Sequence, residues 1–244
     1  MLSDVQIRAP AKVNIGLRVL PKRDDGFHSI ESIFQTVDFA DDLSLNLLKE
    51  DGLCKVDCPQ MELPAENTIT AAYRAFCRLT GKHAGVQVRL TKRIPAGGGL
   101  GGGSSDAASF IKAYAALTGT ALSPGLADAV ASEVGSDVFF FLHCGEKGGA
   151  ALVSGRGEVV RPIVPRNDLH FVLVLPDVHS STKEAYALVD KALEAGDSLQ
   201  YPPLEKLESV YRGPIKKWSF ANTFTPALTY KYSAIADALA DVDR

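Results

Sequence analysis

Six glycines fall within seven positions of the run Pro95-Ala96-Gly97-Gly98-Gly99-Leu100-Gly101-Gly102-Gly103-Ser104-Ser105-Asp106. Glycine lets the backbone adopt positive φ and bring bare N–H groups close to an anion. The Ala-rich segment that follows predicts a helix, whose start offers unpaired donors and the positive end of its dipole. Residue type and placement together point to phosphate, and a nucleotide polyphosphate is the expected ligand. The Walker pattern fails, because no lysine follows the glycines. Gly97, Gly99 and Gly102 satisfy G-x-G-x-x-G, as any run this rich in glycine would, but the acidic ribose ligand expected about twenty residues on is missing. A flexible linker is the bland alternative. Against it stands Ser-Ser-Asp followed at once by Ala107, Phe110, Ile111, Tyr114 and Leu117 at helical spacing.

Other residues with chemical potential lie apart from this loop. Lys12 and Asn14 share the polar face of a strand in which Val13, Ile15, Leu17 and Val19 alternate with polar or small residues. Asp137 follows Gly135-Ser136, where a helix is expected to end and the apolar run Val138-Phe139-Phe140-Phe141-Leu142 to begin as a strand. Taken alone, Asp137 reads as a turn residue and Lys12 as a solvated strand lysine. Arg23-Asp24-Asp25-Gly26 is a turn signal, with Phe27-His28 directly after it.

Elements that would position these groups can be read from the pattern. Strands are expected at Ile30 to Phe39, Leu43 to Leu48, Val86 to Thr91, Ala150 to Val153 and Phe171 to Leu175, the first of them building a β-meander. Glu66-Asn67-Thr68 offers the N-cap of a helix that Gly81 ends, Ser123-Pro124 opens another that Gly135 ends, and helix is expected over Glu184 to Leu193 and, with Pro interruptions, Ser198 to Arg212. The architecture is α+β rather than a regular βαβ alternation, with a boundary placed between residues 1–155 and 156–244.

Composition narrows the function classes. The 244 residues carry 46% apolar and 23% charged side chains and a net charge of -3, with 29 acidic residues against 26 Lys and Arg, so no basic stripe recommends a nucleic acid. No stretch approaches the roughly 18 apolar residues of a membrane span, and no leader pattern opens the chain, so a cytoplasmic location is expected. Four scattered cysteines do not make a disulfide framework, and the five histidines lack metal-site spacing.

Four segments, Ala9-Pro10-Ala11-Lys12-Val13-Asn14, Asp25-Gly26-Phe27-His28, Pro95 to Ser105, and Gly135-Ser136-Asp137-Val138, together resemble the GHMP small-molecule kinases. Asn222-Thr223-Phe224-Thr225-Pro226 is similar to a further segment of that family. The resemblance implies a two-domain fold: an N-terminal α/β sandwich like the second domain of ribosomal protein S5, and a C-terminal α+β domain. The family's C-terminal glycine-rich segment does not occur before Arg244, so that second domain is expected to be incomplete.

It also implies an ATP-dependent kinase of a cytidine diphosphate-linked polyol, in the non-mevalonate route to isoprenoid precursors. In that reading Asp137 is the base and Lys12 its cationic partner. Lys12, Asn14, Phe27, His28, Asp137, Thr182 and Tyr186 bind the acceptor. Asn67, Lys92, Pro95, Ala96, Gly97, Gly98, Gly99, Leu100, Gly101, Gly102, Gly103, Ser104 and Ser105 line the ATP site. The metal is Mg²⁺ brought with ATP and met near Ser105, with no ion held by protein side chains alone. The partner is a small molecule, with no nucleic acid and no membrane, and the chain is a monomer or weak homodimer.

Two positions depart from the family pattern: Phe27 where tyrosine is common, and Phe139 where proline is general. Mevalonate, homoserine and galactose kinases, a diphosphomevalonate-type decarboxylase and a non-catalytic nucleotide sensor remain the competing expectations.

Overall fold

A computed structural model of the chain describes residues 4–144, 148–178, 181–196 and 200–242. The side chains of Thr182 and Lys183 lie outside the described set. In chain order the elements are β1 (Asp4–Lys22), β2 (His28–Leu47), β3 (Cys54–Asp57), α1 (Thr68–Thr80), β4 (Val86–Thr91), α2 (Gly102–Leu117), α3 (Pro124–Val134), α4 (Ser136–Cys144), β5 (Ala150–Ser154), β6 (Val159–Ile163), α5 (Thr182–Glu194), α6 (Leu204–Arg212), α7 (Phe224–Lys231) and α8 (Ser233–Val242). Strands and helices mix without βαβ regularity, so the fold is α+β, as expected from the sequence.

The chain forms two compact units that are discontinuous in sequence. One comprises Met1–Val13, Thr36–Ala96 and Leu100–Gly149; the other comprises Asn14–Gln35, Gly97–Gly99 and Ala150–Arg244. In the first unit, β4 pairs antiparallel with the second half of β2, Leu45 opposite Val88, and β3 runs parallel to β4. Its core is built around Phe110 and Tyr114 of α2, whose rings stack at 5.4 Å, while Phe76 of α1 meets Tyr114 edge-on at 5.2 Å. Buried hydroxyls need partners. Tyr114 donates to the Ala84 carbonyl at 2.5 Å.

In the second unit, the first half of β2 pairs antiparallel with β5, Ile33 opposite Leu152, and β5 with β6. Ile15, Leu17 and Val19 of β1 are buried there, matching the alternation in the sequence. Tyr211 of α6, fully buried, donates to Oε1 of Gln35 and accepts from the Arg166 amide at 2.7 Å.

Several local expectations are corrected. The run Val138 to Leu142 is helical within α4, not a strand. Short apolar runs of aromatic residues fit either state, and here Val138 and Phe141 bury one helical face while Lys112 of α2 satisfies the Phe141 carbonyl at 2.9 Å. Ile30 to Phe39 and Leu43 to Leu48 are not two strands of a meander but the single strand β2. Asp41 and Asp42 do not interrupt it, because Asp41 finds donors inside the protein. Phe171 to Leu175 forms no strand; Phe171, Val172, Val174 and Leu175 are exposed. Helix before Arg212 begins only at Leu204, after Pro202-Pro203.

Candidate active site

Gly101 is the N-cap of α2, with φ +72° and no side-chain acceptor for the first-turn amides. Those amides therefore stand ready for an anion. A Cβ at Gly101 would lie 3.0 Å from the Phe141 ring and 3.1 Å from Cγ of Lys12, so glycine here answers both to conformation and to space. The loop is tied down at two further points: the Lys12 amide donates to the Leu100 carbonyl at 2.9 Å, and the Thr68 hydroxyl to the Gly103 carbonyl at 2.8 Å.

Lys12 is buried rather than solvated, with a side chain only 7% exposed. Its Nζ lies 3.5 Å from Oδ2 of Asp137. Asp137 occupies the first turn of α4, where the helix dipole favours a carboxylate. This corrects the expected helix-to-strand junction. Gly135 closes α3, and the Val138 amide bonds back to its carbonyl at 3.1 Å, so the chain turns sharply between the two helices and leaves the aspartate half-buried beside the lysine.

Other loop neighbours carry buried charge. Lys92 at the end of β4 contacts two carboxylates, Oδ2 of Asp41 and, at 2.9 Å, Oδ2 of Asp106. Asp41 is fully buried, and its Oδ1 also accepts from the amides of Arg93 at 2.5 Å and Ile94 at 2.9 Å. Burial pushes the Asp106 carboxyl up to about 7 against the attraction of Lys92, with Asp41 adding repulsion. Burial acts to lower Lys92, but Asp106 and Asp41 outweigh it and raise the ammonium. Asp106 is the weaker partner physically: Asp41 takes three donors, whereas Oδ1 of Asp106 has none among the described residues. The buried Ser105 hydroxyl is likewise without a partner there.

Asn67 spends its side chain locally. Its Oδ1 accepts from the amides of Ile69 at 3.0 Å and Thr70 at 3.1 Å, and its Nδ2 donates to the Pro64 carbonyl at 3.0 Å, capping α1. Cys54 has its thiol pushed up to about 12 by burial and the neighbouring Cys77, so it is no nucleophile at neutral pH.

The second unit gathers a different set. His28 is buried, its Nδ1 donates to the Leu20 carbonyl at 2.8 Å, and its Nε2 lies 3.1 Å from Oδ1 of Asp190. Tyr186 stacks on the imidazole at 5.2 Å and meets Phe224 edge-on at 5.0 Å. Phe27 is 55% exposed, with the Arg156 guanidinium 4.9 Å above its ring. The turn before it is held by the Gly26 amide on the Arg23 carbonyl at 3.0 Å and the Phe27 amide on Asp25 at 3.1 Å. Asn14 donates to the Ser32 hydroxyl at 3.1 Å, which donates to the Gly16 carbonyl at 2.6 Å.

Of the expected residues, Lys12, Asp137, Asn67, Lys92, Pro95, Ala96 and Leu100 to Ser105 belong to the first unit. Asn14, Phe27, His28, Gly97 to Gly99 and Tyr186 belong to the second. The side chain of Thr182 lies outside the described residues. Sequence reading missed Asp41, Asp106 and Asp190. A charge between two apolar stretches marked the first, and the spacing of four from Tyr186 on one helix face marked the last.

Residues 67–145 match the model of the GHMP kinases N terminal domain. The chain is 43% identical over 249 residues to 4-diphosphocytidyl-2-C-methyl-D-erythritol kinase of Treponema pallidum, spanning all of this chain and 84% of that protein. The chain belongs to this kinase family. A Thermotoga maritima member is 37% identical over 231 residues, covering 94% of this chain and 81% of its own length. The crystal structure of a 4-(cytidine 5'-diphospho)-2C-methyl-D-erythritol kinase superposes with a TM-score of 0.74 at 28% identity, over 96% of this chain and 81% of that one. A homoserine kinase from Cytophaga hutchinsonii, 17% identical with a TM-score of 0.63, shares the fold. The protein is thus a kinase, and membership of the GHMP group implies ATP as the phosphoryl donor. Among the described residues no helix is long and apolar enough to cross a membrane.

Proposed function

We propose that this chain transfers the γ-phosphoryl group of ATP to the 2-hydroxyl of 4-diphosphocytidyl-2-C-methyl-D-erythritol, giving the 2-phosphate and ADP. The observation that carries the mechanism is the buried Lys12 ammonium 3.5 Å from the Asp137 carboxylate, with the Lys12 amide bonded to the glycine loop. Phosphoryl transfer asks little covalent chemistry of a protein; it asks for position and charge.

In this reading the uncapped first turn of α2 and the glycine amides bind the polyphosphate. Asp137 accepts the acceptor hydroxyl's proton as the oxygen bonds to Pγ and the bond from Pγ to the ADP oxygen breaks. Lys12 holds that carboxylate in place and stabilises negative charge gathering on the transferring group. The Ser105 hydroxyl, a hard oxygen with no partner among the described residues, fits a role toward Mg²⁺. When bound with ATP, Mg²⁺ neutralises phosphate charge. His28 and Tyr186, already stacked, and the exposed face of Phe27 receive the cytosine, and Asn14 orients the polyol. We assign the protein to the cytoplasm, acting on a small molecule as a monomer or weak homodimer.

The test is direct: incubate the purified chain with MgATP and 4-diphosphocytidyl-2-C-methyl-D-erythritol beside mevalonate, diphosphomevalonate, homoserine and galactose, and identify products by mass spectrometry. Selective phosphorylation of the cytidine compound is expected. Phosphorylation of another acceptor, or release of carbon dioxide from diphosphomevalonate, overturns the substrate assignment.

A further inference from the structure

Lys92 stands beside a phosphate-binding loop, and a lysine so placed is ordinarily read as a phosphate ligand. Its surroundings argue otherwise. The side chain is 11% exposed and its ammonium is committed to Asp41 and Asp106, whose side chains are 0% and 4% exposed. Turning Lys92 toward a nucleotide would strand two buried carboxylates together without their counter-charge, a costly arrangement.

The geometry points to a different role: Lys92, Asp41 and Asp106 form a brace that positions the glycine loop for the phosphates of ATP, with Lys92 acting on the nucleotide only through that loop. This inference rests on the kinase reading above and deepens it. Each member ties down a separate piece of chain. Asp41 of β2 accepts the amides of Arg93 and Ile94, fixing the backbone where β4 ends and the chain turns to Pro95. Asp106 lies in the opening turns of α2, and Lys92 links it to Asp41.

The loop backbone lies directly on this brace. A Cβ placed on Gly102 would sit 3.1 Å from Nζ of Lys92 and 2.9 Å from Cγ2 of Ile94. With the Lys12 amide holding Leu100 from β1, the segment that enters α2 is clasped at both ends. Preorganised amides bind an anion without first being ordered, so loosening the brace falls on the phosphates and not on the nucleoside.

The two roles give opposite signs. If Lys92 were a phosphate ligand, Asp41→Asn or Asp106→Asn would free the ammonium and tighten ADP binding. As a brace, either substitution weakens it. Calorimetric titration of the full chain with ADP and, separately, with adenosine is expected to show about a tenfold loss for ADP and little change for adenosine, and the kinetic loss to appear in KM for ATP more than in kcat. Asp106→Asn keeps the shape and an acceptor for Lys92, so it reports on the brace if Asp41→Asn fails to fold. Unchanged or tighter ADP binding in a folded Asp106→Asn variant overturns the brace, and so does an equal loss for ADP and adenosine. Failure of the unsubstituted chain to bind either nucleotide or nucleoside overturns the kinase reading instead.

Discussion

Replacing Gly101 by alanine should injure turnover more than stability, and Gly99 supplies the comparison. Gly101 and Gly99 have nearly the same left-handed conformation, φ +72° and +70°. An L side chain in that region costs about 1–2 kcal/mol, offset by roughly 0.5–1 kcal/mol from the stiffer unfolded chain. A net loss near 1 kcal/mol lowers the melting temperature of a chain this size by about 2–4 °C. Both variants should share that fall, because the conformational term is common to them.

They differ in what the new methyl meets. Around Gly99 nothing lies within 4 Å, whereas at Gly101 the methyl would press on Cε2 and Cζ of Phe141 at 3.0 Å and on Cγ of Lys12 at 3.1 Å. Phe141 is 2% exposed and Lys12 5%, so neither swings out to solvent, and the relief must come from a shift of a few tenths of an ångström in the lysine stem. A misplacement of about 1 Å at a reacting group costs on the order of a hundredfold, so a shift of this size should lower kcat by about three- to tenfold. Steady-state kinetics at saturating ATP and acceptor, beside thermal melts, provide the assay. Equal kcat in the two variants at equal melting temperature would refute the link between the loop and Lys12.

Asp137→Asn should keep acceptor binding and lose turnover by about a hundredfold or more, the contribution of a positioned base, measured as product formed per enzyme with binding followed by calorimetry. His28→Ala should weaken the cytidine compound more than ATP, since it removes the ring on which Tyr186 stacks; competition by free cytidine reads this, and equal losses would mean a folding role. Asn67→Ala should cost about 1 kcal/mol of stability by uncapping α1, and Asn67→Asp should restore the melt, so any rise in KM for ATP that persists in the aspartate variant would mark Asn67 as a nucleotide contact.

What the sequence determined by itself is what short stretches of chain dictate. Asn67 and Gly81 bound α1, and Ser123-Pro124 opens α3, because caps and stops act within a few residues. The alternation from Ile15 to Val19 fixed a half-buried strand, and the density of glycine announced a loop with left-handed backbone at Gly97, Gly99 and Gly101. Only the tertiary structure decided the rest. Val138 to Leu142 carries residues that suit a strand, yet its carbonyl partner on α2 and its buried face make it a helix, and this is what sets Asp137 at a helix N-terminus. Phe171 to Leu175 reads as a strand by composition, but a strand exists only where another pairs with it, and none of the described residues does so. Asp41 looks like a break in an apolar run until Lys92, 51 residues later, arrives to accept its charge. Local propensity can be read along the chain, whereas the cost of a buried charge is set by partners that only folding brings together.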